Sequence, residues 1–267
     1  AVRYRTSRGK CVMMIFTCGD NYENAASCIY SAWEYALKAG HDAVRIVREP
    51  VTQLDMFAEY VYVDADSDKT EKFTRSVRRI SNLVYRNVFY ALLSWQEDAV
   101  DAVYRYLILA FKVGKEIEHM LIKPEVMRVM ELVRNVSNEA HRFREMTRFT
   151  SVDRKVYVSH IEPRCDVSLL VAEHFADRMP SEHWVIVDDG RRTAVVHPAD
   201  EHVYVKHLTD EEFTALGQAE YETDEYTDMW RTFFNAIAIE QRENYRCQRN
   251  LFPLWIRKHA TEFRKMP

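Results

Sequence analysis

Apolar residues recur at two different spacings along this chain, and the change of period marks out its elements. Val12-Met-Met-Ile-Phe-Thr17 is a short run of β-favouring residues, and Asp20 and Glu23 behind it have the spacing of a helix N-cap with its third-position acid. Ala25, Cys28, Ile29, Ala32, Trp33, Ala36 and Leu37 then repeat at three and four residues, which predicts a strand followed by a helix over 21–39 that Gly40 ends. A loop containing Pro50 and a short strand near Glu59 to Val63 come next. Helical periodicity resumes after Asp68 and predicts helices over 69–80, 82–94, 97–113 and 125–146. The last has Pro124 in its first turn and Val126, Val129, Met130, Val133, Val136, Ala140 and Phe143 on its inner face.

Beyond Thr147 the period falls to two. Arg148-Phe-Thr150 and Lys155 to Ile161 flank Asp153-Arg154 as the arms of a hairpin flank a turn. A helix over 167–178 precedes Pro180. Trp184 to Val187, Thr193 to Val196 and His202 to Lys206 then read as an antiparallel meander with turns at Asp188-Asp-Gly190 and Pro198-Ala-Asp200. Thr209 and Glu212 form a second capping box, and a helix over about 224–241 carries Trp230, Phe233, Phe234, Ile237 and Ala238. The fold class expected is α+β: an N-terminal strand and helical layer, an antiparallel β meander, then C-terminal helices with a basic tail. Residues 1–10, with Arg3, Arg5, Arg8 and Lys10, are read as a disordered segment. Residues 11–267 are read as one integrated domain with a possible sub-boundary near 147, because no repeat or Gly/Ser-rich linker divides them.

Composition narrows the function. The 267 residues are 47% hydrophobic and 29% charged, which suits a globular protein with a substantial core, and the formal charge of -4 provides no global field for nucleic acid. Any anionic partner must meet a local patch. No run is long and apolar enough to span a bilayer, so a cytoplasmic protein without a membrane partner is expected. Five widely spaced cysteines without a CxxC pair fit reduced thiols and exclude a zinc ribbon. The histidines of the β region lack ligand spacing and read as a scattered, partly exposed set. No metal or cofactor is expected, and GxxxxGK[ST], GxGxxG and GxSxG are all absent.

Two constellations carry chemistry. On the helix over 125–146, Arg134, Asn135, Asn138 and Arg142 form a polar stripe flanked by Glu139 and His141, the candidate acid-base groups. Asn is a mediocre helix former, so the stripe reads either as a pocket wall or as a solvated face. Near the carboxyl end, Arg242, Asn244, Arg246, Gln248, Arg249, Asn250, Trp255 and Arg257 alternate guanidinium groups with amides and rings in a segment that reads as an irregular loop. From Arg231 onward eight Lys or Arg face three acids, whereas residues 209–230 hold eight acids and no Lys or Arg. Arginine forks bind phosphate oxygens two at a time, and rings between them stack bases; docking of this tail on the acidic stretch is the competing reading.

A family resemblance runs through the chain from about residue 12. It is carried by Met14 to Asp20, Asp101-Ala-Val-Tyr-Arg-Tyr106, Arg128 to His141, Arg148-Phe149, Ile161-Glu-Pro163, His174 to Arg178, Trp230 to Phe234 and, most specifically, Arg242-Glu-Asn-x-Arg-Cys-Gln-Arg249. These strings resemble a bacterial family of DNA-repair or DNA-metabolism proteins, a domain of unknown function encoded beside radical-SAM proteins or fused to uracil-DNA-glycosylase-like domains. The resemblance implies a DNA-repair context and a radical-SAM or glycosylase-like partner, and no reaction. The leading expectation is therefore an accessory protein that binds DNA through the C-terminal Arg/aromatic segment. An enzyme acting on a modified base or nucleotide through Glu139 or His141 is the first alternative, and a scaffold for a radical-SAM partner without DNA affinity is the second.

Overall fold

A computed structural model of the chain describes residues 13–152, 155–219, 229–230, 232–233, 236–237, 244–260 and 262–263. The fold is of the α+β class, and the chain divides into two compact units, residues 1–136 and 137–267. The sequence suggests one integrated domain with a possible sub-boundary near 147; the division into compact units falls inside the long helix that Pro124 opens. The segment 1–10 lies outside the described residues.

In the first unit β1 (Met13–Cys18) leads into α1 (Tyr22–Ala39). The N-cap is Asn21 rather than Asp20. Its Oδ1 accepts the Asn24 N–H at 2.8 Å, while Asp20 lies 3.1 Å from the guanidinium of Arg48. Arg48 closes β2 (Val44–Arg48), a strand hidden in the sequence because Arg45 and Arg48 interrupt its apolar residues. It is only 5% exposed, since it also donates to the carbonyl oxygens of Leu92, at 2.9 Å, and Ser94. With β3 (Ala58–Tyr62) these strands form a wholly parallel sheet in the order β2-β1-β3.

The helical layer follows as α2 (Ser67–Arg78), α3 (Asn82–Leu92), α4 (Ala99–Val113) and α5 (Pro124–Met146), each starting within two residues of its expected position. Asp66 caps α2, accepting the Lys69 N–H, and Ser81 caps α3. Phe16, Val44 and Ile46 from one sheet face pack into a single core with Ile29 of α1, Tyr104 and Leu107 of α4, and Leu132 of α5.

Strand β2 lies at the sheet edge, and α4 closes that edge with side chains. Asp101 Oδ1 accepts the Ile46 N–H at 3.0 Å, and Arg105 donates to the carbonyl oxygens of His41, at 2.9 Å, and Val44. One carboxylate and one guanidinium thus do what a neighbouring strand would do. They come from the Asp101 to Tyr106 string that the resemblance rests on.

The second unit holds a five-stranded sheet in the order β4-β5-β6-β7-β8. Strands β4 (Thr150–Val152) and β5 (Val156–Ile161) pair antiparallel, as the alternating runs predict; the turn at 153–154 lies outside the described residues. After α6 (Ser168–Arg178), β6 (His183–Asp188) returns parallel to β5, because the helix carries the chain back across the sheet. The sheet is therefore mixed, and β6, β7 (Thr193–His197) and β8 (Tyr204–His207) form the expected antiparallel meander.

Helix α7 (Asp210–Ala219) starts with the predicted capping box. Thr209 Oγ1 accepts the Glu212 N–H at 3.3 Å, and Glu212 Oε2 accepts the Thr209 N–H at 3.1 Å. The helix expected over 224–241 lies largely outside the described residues. The tail is more regular than its sequence suggests, with α8 (Tyr245–Leu251) and the single turn α9 (Leu254–Arg257) replacing the expected irregular loop. Asn244 starts α8 by accepting the Cys247 N–H at 3.0 Å. Among the described residues no helix is long and apolar enough to cross a membrane.

Two outcomes follow for the first unit. Asp101→Ala strips the buried Ile46 N–H of its acceptor and should lower stability by about 2 kcal/mol in urea denaturation, whereas Glu71→Ala, which breaks the exposed Arg75 pair, should cost well under 1 kcal/mol. Equal losses would show that the edge closure contributes nothing special. His41 packs on Trp33 and bonds the Tyr104 hydroxyl at 2.8 Å; burial, then the nearby Arg105, hold its imidazole below the ordinary value of 6.5. The unfolded chain thus takes up this proton first as the pH falls. His41 therefore contributes stability that is full above about pH 6.5 and declines below it. The melting temperature should drop between about pH 7.5 and about pH 5.5, and drop less in His41→Gln.

Candidate functional site

In the second unit the chain leaves β5 through Glu162-Pro-Arg-Cys-Asp-Val167, at the carboxyl end of the parallel pair β5/β6, where open sheets with crossover helices carry their sites. This loop is gripped from both sides. Glu139 of α5, 8% exposed, accepts the Arg164 N–H at 2.7 Å on one oxygen and the Cys165 N–H at 3.2 Å on the other. Arg191 donates to the Pro163 carbonyl at 3.1 Å and to the Arg164 carbonyl at 2.6 Å. Arg191 is itself held by the fully buried Asp188, which also accepts the Ser168 hydroxyl at 3.1 Å. Backbone that belongs to no ladder is thus satisfied by two charged side chains, and it forms a platform held from both sides.

Beside the platform three titratable side chains converge. His160 Nδ1 lies 2.7 Å from Asp189 Oδ1, and its Nε2 lies 3.1 Å from the Leu216 carbonyl oxygen of α7. A carboxylate oxygen and a carbonyl oxygen, both acceptors, thus flank the two ring nitrogens and fix the orientation of the imidazole. His259 stacks on it at 6.2 Å, with Nε2 3.6 Å from Asp189 Oδ2. Lys258 pairs with Glu162 at 2.6 Å. His160 and His197 are each 3% exposed and hydrogen-bonded, so these two depart from the partly exposed set expected of the histidines. Among the described residues no group of three or more His, Cys, Asp or Glu could hold a metal ion.

The sequence candidates occupy different environments. Arg134, Asn138, His141 and Arg142 are exposed on α5 and Asn135 is half-buried; Arg134 and Asn135 belong to the first unit, the other three to the second. His141 pairs with Glu145 at 3.2 Å. Glu139 is the anchor of the platform. Trp255 packs edge-on against Phe143 of α5 at 5.6 Å and lies under the Arg164 guanidinium at 5.6 Å, so the platform joins α5 to the tail. Arg257 faces inward, donating to the Phe252 carbonyl at 2.9 Å and stacking over Phe263 at 4.7 Å. Asn244 caps α8 and Gln248 is half-buried on it, whereas Arg246, Arg249 and Asn250 are exposed. Arg242 lies outside the described residues.

Residues 97–262, well over half of the chain, match the model of DUF4130, a domain of unknown function. The chain belongs to the DUF4130 family. The DUF4130 match includes the edge-closing Asp101 and Arg105, the platform with Glu139, Asp188 and Arg191, and the whole of α8 and α9, while β1 to β3 precede it. No curated protein and no solved structure matches the chain. Sequence reasoning missed Asp188, Arg191, Asp189 and His259 because Asp188-Asp-Gly190 reads as a turn, and nothing in the one-dimensional pattern ties it to the loop after β5.

The clamp makes a specific prediction about Glu139. In Glu139→Gln the amide offers its oxygen to one N–H and turns its own N–H₂ toward the other. Glu139→Ala should cost about 2–4 kcal/mol in urea denaturation, and Glu139→Gln roughly half of that. A Gln variant as stable as the wild type would show that the carboxylate is not held by the loop.

Proposed function

We propose that this DUF4130 protein binds nucleic acid as an accessory protein of DNA repair or DNA metabolism, with Arg246 and Arg249 of α8 as its phosphate-holding pair. One observation carries this reading: both guanidinium groups are exposed on one short helix, three residues apart, and neither has a hydrogen bond or ion pair among the described residues. Residues three apart on a helix are neighbours, and like charges there repel, a cost that a bound anion removes. Asn250 lies one turn from Arg246, and Tyr245, 67% exposed, provides a ring beside them.

Two features favour binding over catalysis by the α5 candidates. Both oxygens of Glu139 are engaged by backbone N–H groups, and His141 stands exposed beside Glu145. Trp255, covered by Phe143 and Arg164, is better suited to anchoring the segment than to stacking a base. The family resemblance suggests a radical-SAM or uracil-DNA-glycosylase-like protein as the enzyme served.

The test is fluorescence anisotropy with a short single-stranded oligonucleotide over about 50 to 200 mM salt, comparing wild type with Arg246→Ala/Arg249→Ala. The double variant should bind about tenfold or more weakly, and its plot of log affinity against log salt should be shallower by about 1.4, the loss of two single-strand phosphate contacts. Unchanged affinity and slope would overturn the proposal.

A further inference from the structure

Among the described residues of the first unit, one face of the parallel sheet has no helix on it. Strands β2 and β3 lie on either side of β1 and both run parallel to it, so the chain between them must cross β1. It does so through residues 49–57 alone, shorter than the dozen or more residues, usually with a helix, that such crossovers take. The step across two strand spacings and back along a strand is about 19 Å, against about 30 Å for nine fully extended residues. A turn at Asp55, whose carboxylate accepts the Phe57 N–H at 2.9 Å and whose own N–H donates to the Tyr60 hydroxyl at 2.6 Å, uses up part of that slack. The strap therefore has too little chain left to build a helix over this face.

Two features result, side by side on this face. Leu54, Met56 and Phe57 project from the strap, 70%, 88% and 84% exposed. Beneath it lies a recess of about 560 Å³, lined by Ile15, Val47 and Tyr60 of the sheet, by Leu54, Met56 and Phe57 of the strap itself, and by the charged Arg45, Asp55 and Glu97. Ile15, Arg45 and Tyr60 are register partners on the three strands, so they share the face that the core does not use. Parallel sheets are normally covered on both faces, and an exposed apolar projection of this size marks an interaction surface.

We infer that this face is the interface of a two-fold homodimer, in which the Met56 and Phe57 side chains of each copy fill the recess of the other. A two-fold interface uses one patch twice, so the patch must contain both the projection and the space that receives it. This one does, whereas a partner of another kind needs only one of the two. The charges are self-complementary in the same way. Arg45, which has no hydrogen bond or ion pair among the described residues, lines the same recess as Asp55 and Glu97, so the patch carries both signs and a second copy offers carboxylates with which Arg45 can pair.

The experiment is sedimentation equilibrium of the full chain from about 1 to about 200 µM without nucleic acid, so its outcome is independent of DNA binding. The mass should rise with concentration from 31.7 kDa toward twice that value. Met56→Glu/Phe57→Glu should stay monomeric throughout with an unchanged circular dichroism spectrum and melting temperature, and Arg45→Glu should weaken the dimer at least tenfold. Hydrogen exchange of residues 54–60 should slow with concentration in the wild type alone. A single 31.7 kDa species at every concentration would overturn the inference, and so would a dimer that the double substitution leaves intact.

Discussion

A backbone N–H or C=O that is removed from water must find a partner, and in this protein that requirement falls repeatedly on charged side chains. The carboxylate of Glu139 takes two N–H groups of the loop after β5, and Arg191 takes two of its carbonyl groups. Asp101 and Arg105 do the same for the edge of β2, and Arg48 for the carbonyl groups at the end of α3. In each case an ionised group replaces a missing ladder, and charge-assisted bonds are strong enough to hold irregular backbone in one conformation. The sharp turn of the chain from β5 into α6 depends on this, because Glu162 to Val167 belong to no helix or strand.

What could be read in the sequence follows from the same distinction. Elements defined by an apolar face were visible: α5 begins at its proline, and the Thr209/Glu212 box closes as its spacing predicts. Elements held by buried charge were not. Strand β2 looked like loop because Arg48 is a poor core residue until Asp20 and two carbonyl groups surround it, and the same attraction removed Asp20 from the cap that Asn21 then took. Helix α8 has no apolar stripe to announce it and begins from an Asn244 cap. The direction of β6 is set by α6, a relation between elements that alternation within one strand does not encode.

The candidate residues divide by the same logic. Their types were legible, but their surroundings were not. Glu139 and His141 are two residues apart on α5, so they face different ways, and only Glu139 meets backbone that lacks partners. Asp188 looked like a turn residue and Arg191 showed no role, because the groups that they satisfy lie about 20 to 28 positions earlier in the chain. Separation of that kind hides a contact from any local pattern.

Arginine shows how one residue type serves opposite ends in this chain. Arg48, Arg105, Arg191 and Arg257 each donate to main-chain carbonyl groups, and three of them also meet a carboxylate, so their charge is neutralised within the fold. Arg246 and Arg249 occur in a helix that is already capped by Asn244 and whose carbonyl groups are largely engaged along its axis, which leaves their guanidinium groups no internal acceptor among the described residues. The net charge of -4 is thus a poor guide to the surface, because it counts arginines spent on the backbone together with those still facing water. The availability of a positive group is decided by where regular structure ends, since a guanidinium is drawn inward only where backbone carbonyls or buried carboxylates are left over.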